Sequence, residues 1–442
     1  MIGIWQQVLN RRELTSEEGE PIEIIYPGRA NDDKGADFRD AVVATGGRLA
    51  KGDIEVHVRS SDWRAHRHHQ NSAYNRVILH VVMWHDNNQA TRLQDGRCVP
   101  IVVLQDYIGT RVSQRSRMPD CSAVLRVPCF RVTEHLSEYR VAAYLDGAGE
   151  ERFLVKAADF QRGVIQMGAG QCLYRGVMGA LGYAKNKLPC LELADRLPLR
   201  ILEAIAQREI SEKECIAEQQ ALLLGAAGLL PSQRRDRHRE SNLDDRWVEK
   251  LERIWNSSRC TEVMSPGAWQ VFKVRPNNSP VRRLVAMSYL IPRYRERGML
   301  EGLLDVVGEA PLRGGWDALE QGLVVTTDGY WASRFDFGSG SRMVSRALLG
   351  SRRAADIIVN VLLPFIFAWG QSNSKPELAR KAIHLYCHYP RLAVNSVERH
   401  MRNQLGLSTG LVNSAQRQQG LIHIYNTLCT QGRCNSCPLK PA

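Results

Sequence analysis

The chain has 442 residues, of which 44% are hydrophobic and 24% charged, as in an ordinary soluble globular protein of two or three domains. Its start lacks the basic and apolar segments of a secretory signal, and its longest apolar stretch (354–369) is too short and too interrupted to span a bilayer, so we expect a cytoplasmic protein. The net charge of +12 favours a polyanionic partner, because basic surfaces release counterions from phosphate backbones.

The first 120 residues predict an α/β domain built on a mixed sheet. A short helix and a polar loop come first, and segments rich in valine and isoleucine then predict strands. These strands are expected at residues 22–26, 38–45, 52–59, 77–84 and 100–104. A polar segment at 61–75 can begin a helix, because serine and aspartate stand at its start.

From residue 121 onward, apolar residues recur at intervals of three or four, which is typical of helices. We predict helical domains over residues 121–231 and 246–442, separated by an exposed charged linker at 232–245. The predicted fold class is therefore α/β (α+β), with a small N-terminal domain on a mixed sheet followed by a large, mainly α-helical region.

The third predicted strand carries polar residues on one face and apolar residues on the other. Side chains alternate along a strand, so Asp53, Glu55 and His57 share a face. Asp37 opens the preceding strand, and we expect Asp37 and Glu55 to supply oxygens to Mg²⁺ or Mn²⁺, with the carbonyl of Val56 as a third ligand. His57 then orients or deprotonates the attacking water. The alternative is an exposed edge strand with Asp37 capping a turn.

Further histidines follow closely, and they are His66, His68, His69, His80 and His85. A cluster this dense can bind a transition metal such as Zn, Mn or Fe, since imidazole suits these ions. His66 and His69 are spaced to share a helical face, where they can meet phosphate oxygens, and we expect His66 to assist near the phosphate. His80 stands inside an apolar run and is equally typical of a hydrogen-bonded core histidine.

Three cysteines end the chain: Cys429, Cys434 and Cys437 form a C-x4-C-x2-C pattern followed by proline. Such tight loops let the sulfurs converge on one soft ion or cluster. A closed site needs a fourth ligand, for which Cys387 is the first choice and His423 or another lone cysteine the next. The ligand count fits Zn²⁺ or a [4Fe–4S] cluster, and redox-active thiols are the alternative.

The segments GADF at 35–38 and GDIEVHV at 52–58 resemble the PD-(D/E)xK nuclease superfamily. Asp37 falls on the superfamily's aspartate and Glu55 on its acidic position, whereas His57 stands where the superfamily has lysine. The resemblance covers about the first 105 residues. It implies a restriction-endonuclease-like core and metal-dependent phosphodiester cleavage. The C-terminal cysteines are similar to [4Fe–4S] sites found at the ends of some DNA-processing enzymes, including certain nucleases of this superfamily.

The whole chain also resembles a bacterial family catalogued as a domain of unknown function. The residues that carry this likeness are GADF, GDIEVHV, SDW..H.HH...Y, VILHVV, GYAKNK, RPNN.P.RRL and the terminal cysteines. That family implies no activity, so the function has to be argued from the site itself.

Three functions are compatible with these patterns. The first is a metal-dependent nuclease, acting on DNA, with catalytic groups Asp37, Glu55, His57 and His66. The second is a non-catalytic nucleic-acid-binding or scaffold protein that retains a nuclease-like core, and the histidine in place of lysine favours it. The third is a hydrolase of a small phosphorylated or other substrate that uses the histidine cluster.

Overall fold

The computed structural model describes residues 1–8, 13–108, 127–234, 246–258, 262–338 and 346–440. The chain divides into two compact units. The first comprises residues 1–149, 394–413 and 417–442, and the second comprises residues 150–393 and 414–416. The boundaries of these two units differ from those of the three predicted domain ranges, because C-terminal helices group with the N-terminal sheet. The predicted boundary after residue 120 and residues 235–245 of the predicted linker lie outside the described residues.

Over the described ranges, the strands are β1 (Glu13–Thr15), β2 (Pro21–Tyr26), β3 (Arg29–Ala30), β4 (Phe38–Thr45), β5 (Arg48–Arg59), β6 (Val77–Trp84), β7 (Thr91–Arg92), β8 (Cys98–Val99), β9 (Ile101–Val103), β10 (Val325–Thr326) and β11 (Ala347–Leu349). The helices are α1 (Ile2–Val8), α2 (Asp62–Ala65), α3 (Glu138–Met167), α4 (Ala169–Leu181), α5 (Lys187–Arg196), α6 (Leu199–Ala206), α7 (Glu212–Ala226), α8 (Arg246–Ser257), α9 (Pro280–Arg293), α10 (Met299–Glu309), α11 (Trp316–Leu323), α12 (Ser351–Ile357), α13 (Leu363–Ser372), α14 (Pro376–Cys387), α15 (Ser396–Leu405) and α16 (Ala415–Thr427).

The first unit is built on a mixed sheet with the strand order β1-β2-β4-β5-β6-β9, and β3 pairs with β4 as well. Strands β1 to β5 pair antiparallel, whereas β5, β6 and β9 run parallel. The prediction of a mixed sheet near the N-terminus followed by a mainly helical region is confirmed. Strands β2, β4, β5, β6 and β9 occupy the segments in which strands were expected.

A two-residue turn fixes the register of β4 against β5. Gly46 and Gly47 both have positive φ angles, of 56° and 76°, which is the backbone that a tight hairpin turn requires and that glycine adopts without strain. From this turn the pairing runs down to Phe38 opposite Ile54. The register therefore brings the residue before Phe38 close to the residue after Ile54.

The two faces of β5 have different surroundings. Ile54 and Val56 lie in the apolar cluster that also contains Trp5 of α1 and Leu79 of β6. The opposite face of β5 carries Glu55 and His57. On the neighbouring strand β6, His80 lies opposite Glu55 in the pairing. Because β5 pairs with a strand on each side and both faces are buried, the alternative of an exposed edge strand is wrong.

A helical layer completes the first unit. The beginning of α3, helix α15 and the end of α16 share an apolar cluster with Tyr26 and Val42 of the sheet. Val42 lies on the same strand as Ala41 and Val43, which face the other way into the cluster around Trp5. The sheet is therefore covered on both faces, as a sheet with parallel central strands requires.

The second unit is mainly helical, with one large apolar core. Its most apolar segment, Ser351–Ser372, has the length and composition of a membrane span, but 72% of its 18-residue window is buried inside the protein, as in the core helix of a globular fold. The helix widens at Ile358–Leu362 because Pro364 has no N–H for the carbonyl of Asn360. Lys156 donates instead to this carbonyl (3.4 Å), and also to the side-chain oxygen of Asn360 (2.5 Å).

Candidate functional site

Asp37 and Glu55 are neighbours in the β4–β5 hairpin. The backbone N–H of Asp37 donates to Oε2 of Glu55 (3.0 Å), and the backbone N–H of Val56 donates to Oδ2 of Asp37 (3.1 Å). Each carboxylate thus accepts a backbone hydrogen bond from the other's strand. The carbonyl of Val56 was expected at this point, whereas the N–H of Val56 is directed towards Asp37.

The ionisation of Asp37 is made more costly by its surroundings. Burial, and after it the charge of Glu55, raises the pKa of Asp37 to about 6. Oδ2 of Asp37 and Oε2 of Glu55 are held by backbone N–H groups, so neither side chain is free to move away. A cation beside them would relieve this repulsion.

Two imidazoles lie near the other oxygen of Glu55, and a third lies beside them. Oε1 of Glu55 lies 3.4 Å from Nε2 of His57 and 3.4 Å from Nε2 of His68. Nδ1 of His66 lies 3.2 Å from Nε2 of His57. One ligand atom from each of the three histidines falls within 4.8 Å of the others, so together they can hold a metal ion.

Buried groups behind His57 fix its orientation. Nδ1 of His57 lies 2.9 Å from Nε2 of His80, and Nδ1 of His80 lies 2.8 Å from Oγ1 of Thr91. His80 is fully buried, and burial lowers its pKa well below the ordinary value, so it is neutral. When His80 donates to Thr91, it accepts from Nδ1–H of His57, and the lone pair of His57 Nε2 then faces Glu55 and His66.

Aromatic rings pack around the histidines. The ring centroid of Trp63 lies 5.3 Å from that of His68 and 5.2 Å from that of His80. The indole N–H of Trp63 donates to the carbonyl of Arg92 (2.8 Å). Tyr74 stacks on His68 with ring centroids 3.8 Å apart. These contacts hold the imidazoles in place and exclude water from the inner side of the site.

The surroundings of His57 bear on the role in orienting or deprotonating water that the sequence suggested for it. Burial, opposed in part by the carboxylate of Glu55, lowers its pKa to about 4, so its ring is neutral near pH 7. It therefore cannot replace the lysine ammonium of the resembled motif. Both of its nitrogens already face other groups of the cluster, which is the arrangement of a metal ligand rather than of a mobile general base.

Asp53 lies on the same strand but makes other contacts. Its Oδ1 accepts the backbone N–H of Asp40 (3.1 Å) and lies 3.6 Å from the guanidinium of Arg76. Asp40 has a φ of 61° where the β4–β5 register shifts. Asp53 therefore supports an irregularity of the hairpin rather than the histidine cluster.

The cysteine that accompanies the terminal three is one of the lone cysteines of the sequence and not Cys387, the first choice. Cys129 lines the same cavity as Cys429, Cys434 and Cys437. Cys387, the expected fourth ligand, belongs to the second unit and packs half-buried against the apolar core there. His423 is buried in α16.

His68, Trp63 and Thr91 were not selected as site residues. His68, Trp63 and Tyr74 stand in the segment SDW..H.HH...Y, so a signal was present, but the pattern did not tell which histidine points inward. No signal marks Thr91, because its contact with His80 arises from the pairing of β7 with β8 beside the sheet. Of the histidines that were selected, His66 is at the cluster and exposed.

Comparison with known proteins gives a family match that covers most of the chain. No curated protein and no solved structure matches this sequence. The family model that matches extends over residues 1–392, which include the whole histidine–carboxylate cluster and end before the terminal cysteines. The chain therefore belongs to the family described as "Protein of unknown function (DUF2851)".

Proposed function

We propose that this protein is a metal-dependent phosphodiesterase, a nuclease that acts on DNA, with its cation held by Glu55, His57, His66 and His68. One observation carries the proposal. One oxygen of Glu55 accepts a hydrogen bond from the backbone N–H of Asp37, and the other oxygen faces two imidazole nitrogens. A buried carboxylate that joins a second carboxylate to a group of histidines is an arrangement suited to a divalent cation.

Three donor pairs of the cluster have a spacing that supports this assignment. Ligand atoms bound at about 2.0–2.1 Å around a tetrahedral metal lie about 3.3–3.4 Å apart. The Glu55–His57 and Glu55–His68 pairs are at 3.4 Å, and the His57–His66 pair is at 3.2 Å. Imidazole donors favour Mn, Fe or Zn over Mg²⁺, which prefers an all-oxygen set. We therefore propose a transition metal here rather than magnesium.

Each residue of the cluster has a task in this proposal. The cation, when bound, supplies Lewis-acid polarisation of a phosphodiester oxygen. Glu55 and the imidazoles hold it, and the His80–Thr91 chain keeps the nitrogen lone pair of His57 directed at it. Asp37 adds a second carboxylate, fixed by the N–H of Val56, on the side of Glu55 away from the histidines.

The approach of an anionic substrate is favoured from the solvent side of His66. His66 is exposed, and the neighbouring Arg64 and Arg67 are exposed as well. Cationic side chains at the rim of a site attract a phosphate backbone, and the net charge of +12 acts in the same direction. DNA is the substrate that we propose on this basis.

A second candidate function is a nucleic-acid-binding protein without turnover. The neutral state of His57, where the resembled nucleases carry a lysine, favours it. The second candidate predicts salt-sensitive DNA binding that does not depend on a divalent cation, and it predicts no cleavage.

The experiment is a cleavage assay with the full-length protein and labelled single- and double-stranded DNA, with RNA as a parallel substrate. We expect cleavage with Mn²⁺ and weaker cleavage with Mg²⁺. Glu55→Gln keeps the acceptor for the N–H of Asp37 but removes the charge, and we expect about a thousandfold loss of rate. Glu23→Gln, at an exposed position of β2, is the matched control and should cleave like the natural protein.

The outcomes separate the candidates. Binding of DNA without cleavage under any divalent metal would support the second candidate. Cleavage that Glu55→Gln leaves unchanged would show that another site carries the activity.

A further inference from the structure

Four cysteine thiols from distant parts of the first unit line one small cavity. Cys429, Cys434 and Cys437 come from the end of the chain, and Cys129 stands 300 residues before Cys429. Cys129 and Cys429 are buried, whereas Cys434 and Cys437 are half-buried. The described cysteines form no disulfide, so the four thiols meet without a covalent link.

Tight backbone turns present three of these thiols. Short 3₁₀ turns cover Cys429–Gln431 and Cys434–Ser436, and Gly432 between them has a φ of 68°. A side chain at Gly432 would come within 3.0 Å of Val42 on β4, so glycine is needed for the close approach of this loop to the sheet as well as for its backbone. The loop is therefore held against β4 in a fixed shape.

A buried amide points at the sulfurs. Nε2 of Gln404, on α15, lies 3.4 Å from Sγ of Cys129 and 3.9 Å from Sγ of Cys429, as a donor to both. The hydroxyl of Tyr26 donates to Oε1 of the same amide (3.4 Å), which orients its NH₂ group towards the sulfurs. N–H groups aimed at sulfur stabilise thiolates, and this is the usual surrounding of a metal-bound cysteine set.

The spacing of the sulfurs distinguishes two kinds of centre. A single zinc ion with Zn–S bonds of about 2.3 Å holds its thiolates about 3.8 Å apart. In the part of the chain that the structure describes, the trio of ligand atoms found within 4.8 Å of one another is His57, His66 and His68, and no three of the four sulfurs are that close. A cluster with one iron for each thiolate spaces the sulfurs more widely.

We propose that Cys129, Cys429, Cys434 and Cys437 together bind a [4Fe–4S] cluster, with Gln404 donating hydrogen bonds to two of the ligand sulfurs. The cluster joins the segment around Cys129 to the C-terminal loop and, through Gln404, to α15. It contributes to folding rather than to the reaction, because no residue of the histidine cluster lines this cavity. The inference does not depend on the proposed nuclease activity.

The test is metal and sulfide analysis of the full-length protein purified without oxygen. We expect a brown protein with about four iron atoms and four acid-labile sulfides per chain, one set for each cubane cluster. Stoichiometric zinc without iron or sulfide at these cysteines would overturn the assignment of a cluster, and the absence of any metal from them would overturn the site itself.

Single variants then identify the ligands. Cys129→Ser and Cys434→Ser should each lose more than half of the iron and the visible absorption. Cys434 is half-buried, so its replacement keeps the test valid if Cys129→Ser does not fold. Cys387→Ser and Cys98→Ser are matched controls at a half-buried and an exposed position, and both should retain the full iron content. Loss of iron in Cys387→Ser with retention in Cys129→Ser would overturn the proposed ligand set.

Discussion

The two candidate metal sites of the first unit are assembled in opposite ways. The histidine–carboxylate cluster draws its groups from neighbouring strands and the segment between them, from Asp37 to Thr91, and hydrogen bonds already hold its members together. The cysteine site brings together residues that lie 300 positions apart in the sequence, Cys129 and Cys429. One site is fixed by secondary structure, whereas the other depends on long-range closure of the chain.

This contrast has an energetic consequence. Where a hairpin and buried hydrogen bonds already position the ligands, metal binding loses little conformational entropy in ordering them. The binding free energy is then available for affinity and chemistry. Where a metal closes a long loop, its binding free energy contributes to folding. We therefore expect the histidine site to govern activity and the cysteine site to govern the stability of the first unit.

Selective metal removal should give the largest effect. A chelator that takes divalent ions from the histidine cluster is expected to lower the DNA-cleavage rate about a thousandfold, because the Lewis acid is lost. The visible absorption of the cysteine site should stay unchanged, and added Mn²⁺ should restore cleavage. The measurement is cleavage rate and absorption on the same sample. Parallel loss of both signals would show that the two sites are not independent.

Loss of the cysteine centre should mainly affect stability. Cys434→Ser is expected to cost several kcal/mol in the first unit, as structural metal sites contribute to folding. Hydrogen exchange should become faster in α15 and in the C-terminal part of α16, whereas the amides of the β4–β5 hairpin keep their protection. Mass-spectrometric hydrogen exchange measures this region by region. Equal acceleration in the hairpin would contradict the separation of the two sites.

The same contrast explains how far the sequence could be interpreted. The strands at 38–45 and 77–84 and the polar face of β5 follow from valine-rich, alternating patterns, which are local signals. The approach of Asp37 to Glu55 follows from the hairpin in the same way. Cys129 carries no local signal, because a lone cysteine in an apolar turn is typical of packing. The buried orientation of the His68 ring depends on its packing against Trp63 and Tyr74 in three dimensions. The spacing of residues in the sequence does not predict such packing.

A histidine beside the cysteine site should make the first unit sensitive to acid. Burial and then the charge of Arg29 lower the pKa of His400 to about 4, and its Nε2 lies 2.6 Å from the hydroxyl of Tyr26. The unfolded chain takes up this proton first as the pH falls, so stability is lost between about pH 6.5 and pH 4, by about 3 kcal/mol in total.

The variant His400→Gln keeps a side-chain N–H that can donate to the hydroxyl oxygen of Tyr26, but it does not titrate. Its denaturation midpoint should fall less steeply than that of the natural protein between pH 6.5 and pH 4, in denaturant titrations at each pH. Identical slopes in the two proteins would assign the acid sensitivity to other groups. His388→Gln, at an exposed position directly after α14, is the control and should leave the slope unchanged.

The smallest effect is expected from the second layer of the histidine cluster. Thr91→Val removes the oxygen that holds Nδ1 of His80 while keeping the shape of the side chain. His80 then loses the bond that fixes its tautomer, and the lone pair of His57 Nε2 is no longer directed at the cation for all of the time. We expect Mn²⁺ affinity to fall about tenfold, measured by calorimetry, with the cleavage rate at saturating Mn²⁺ nearly retained. A lower rate at saturation with unchanged affinity would mean that Thr91 acts on the reacting groups instead, and that the His80–Thr91 pair does not work by orienting a ligand.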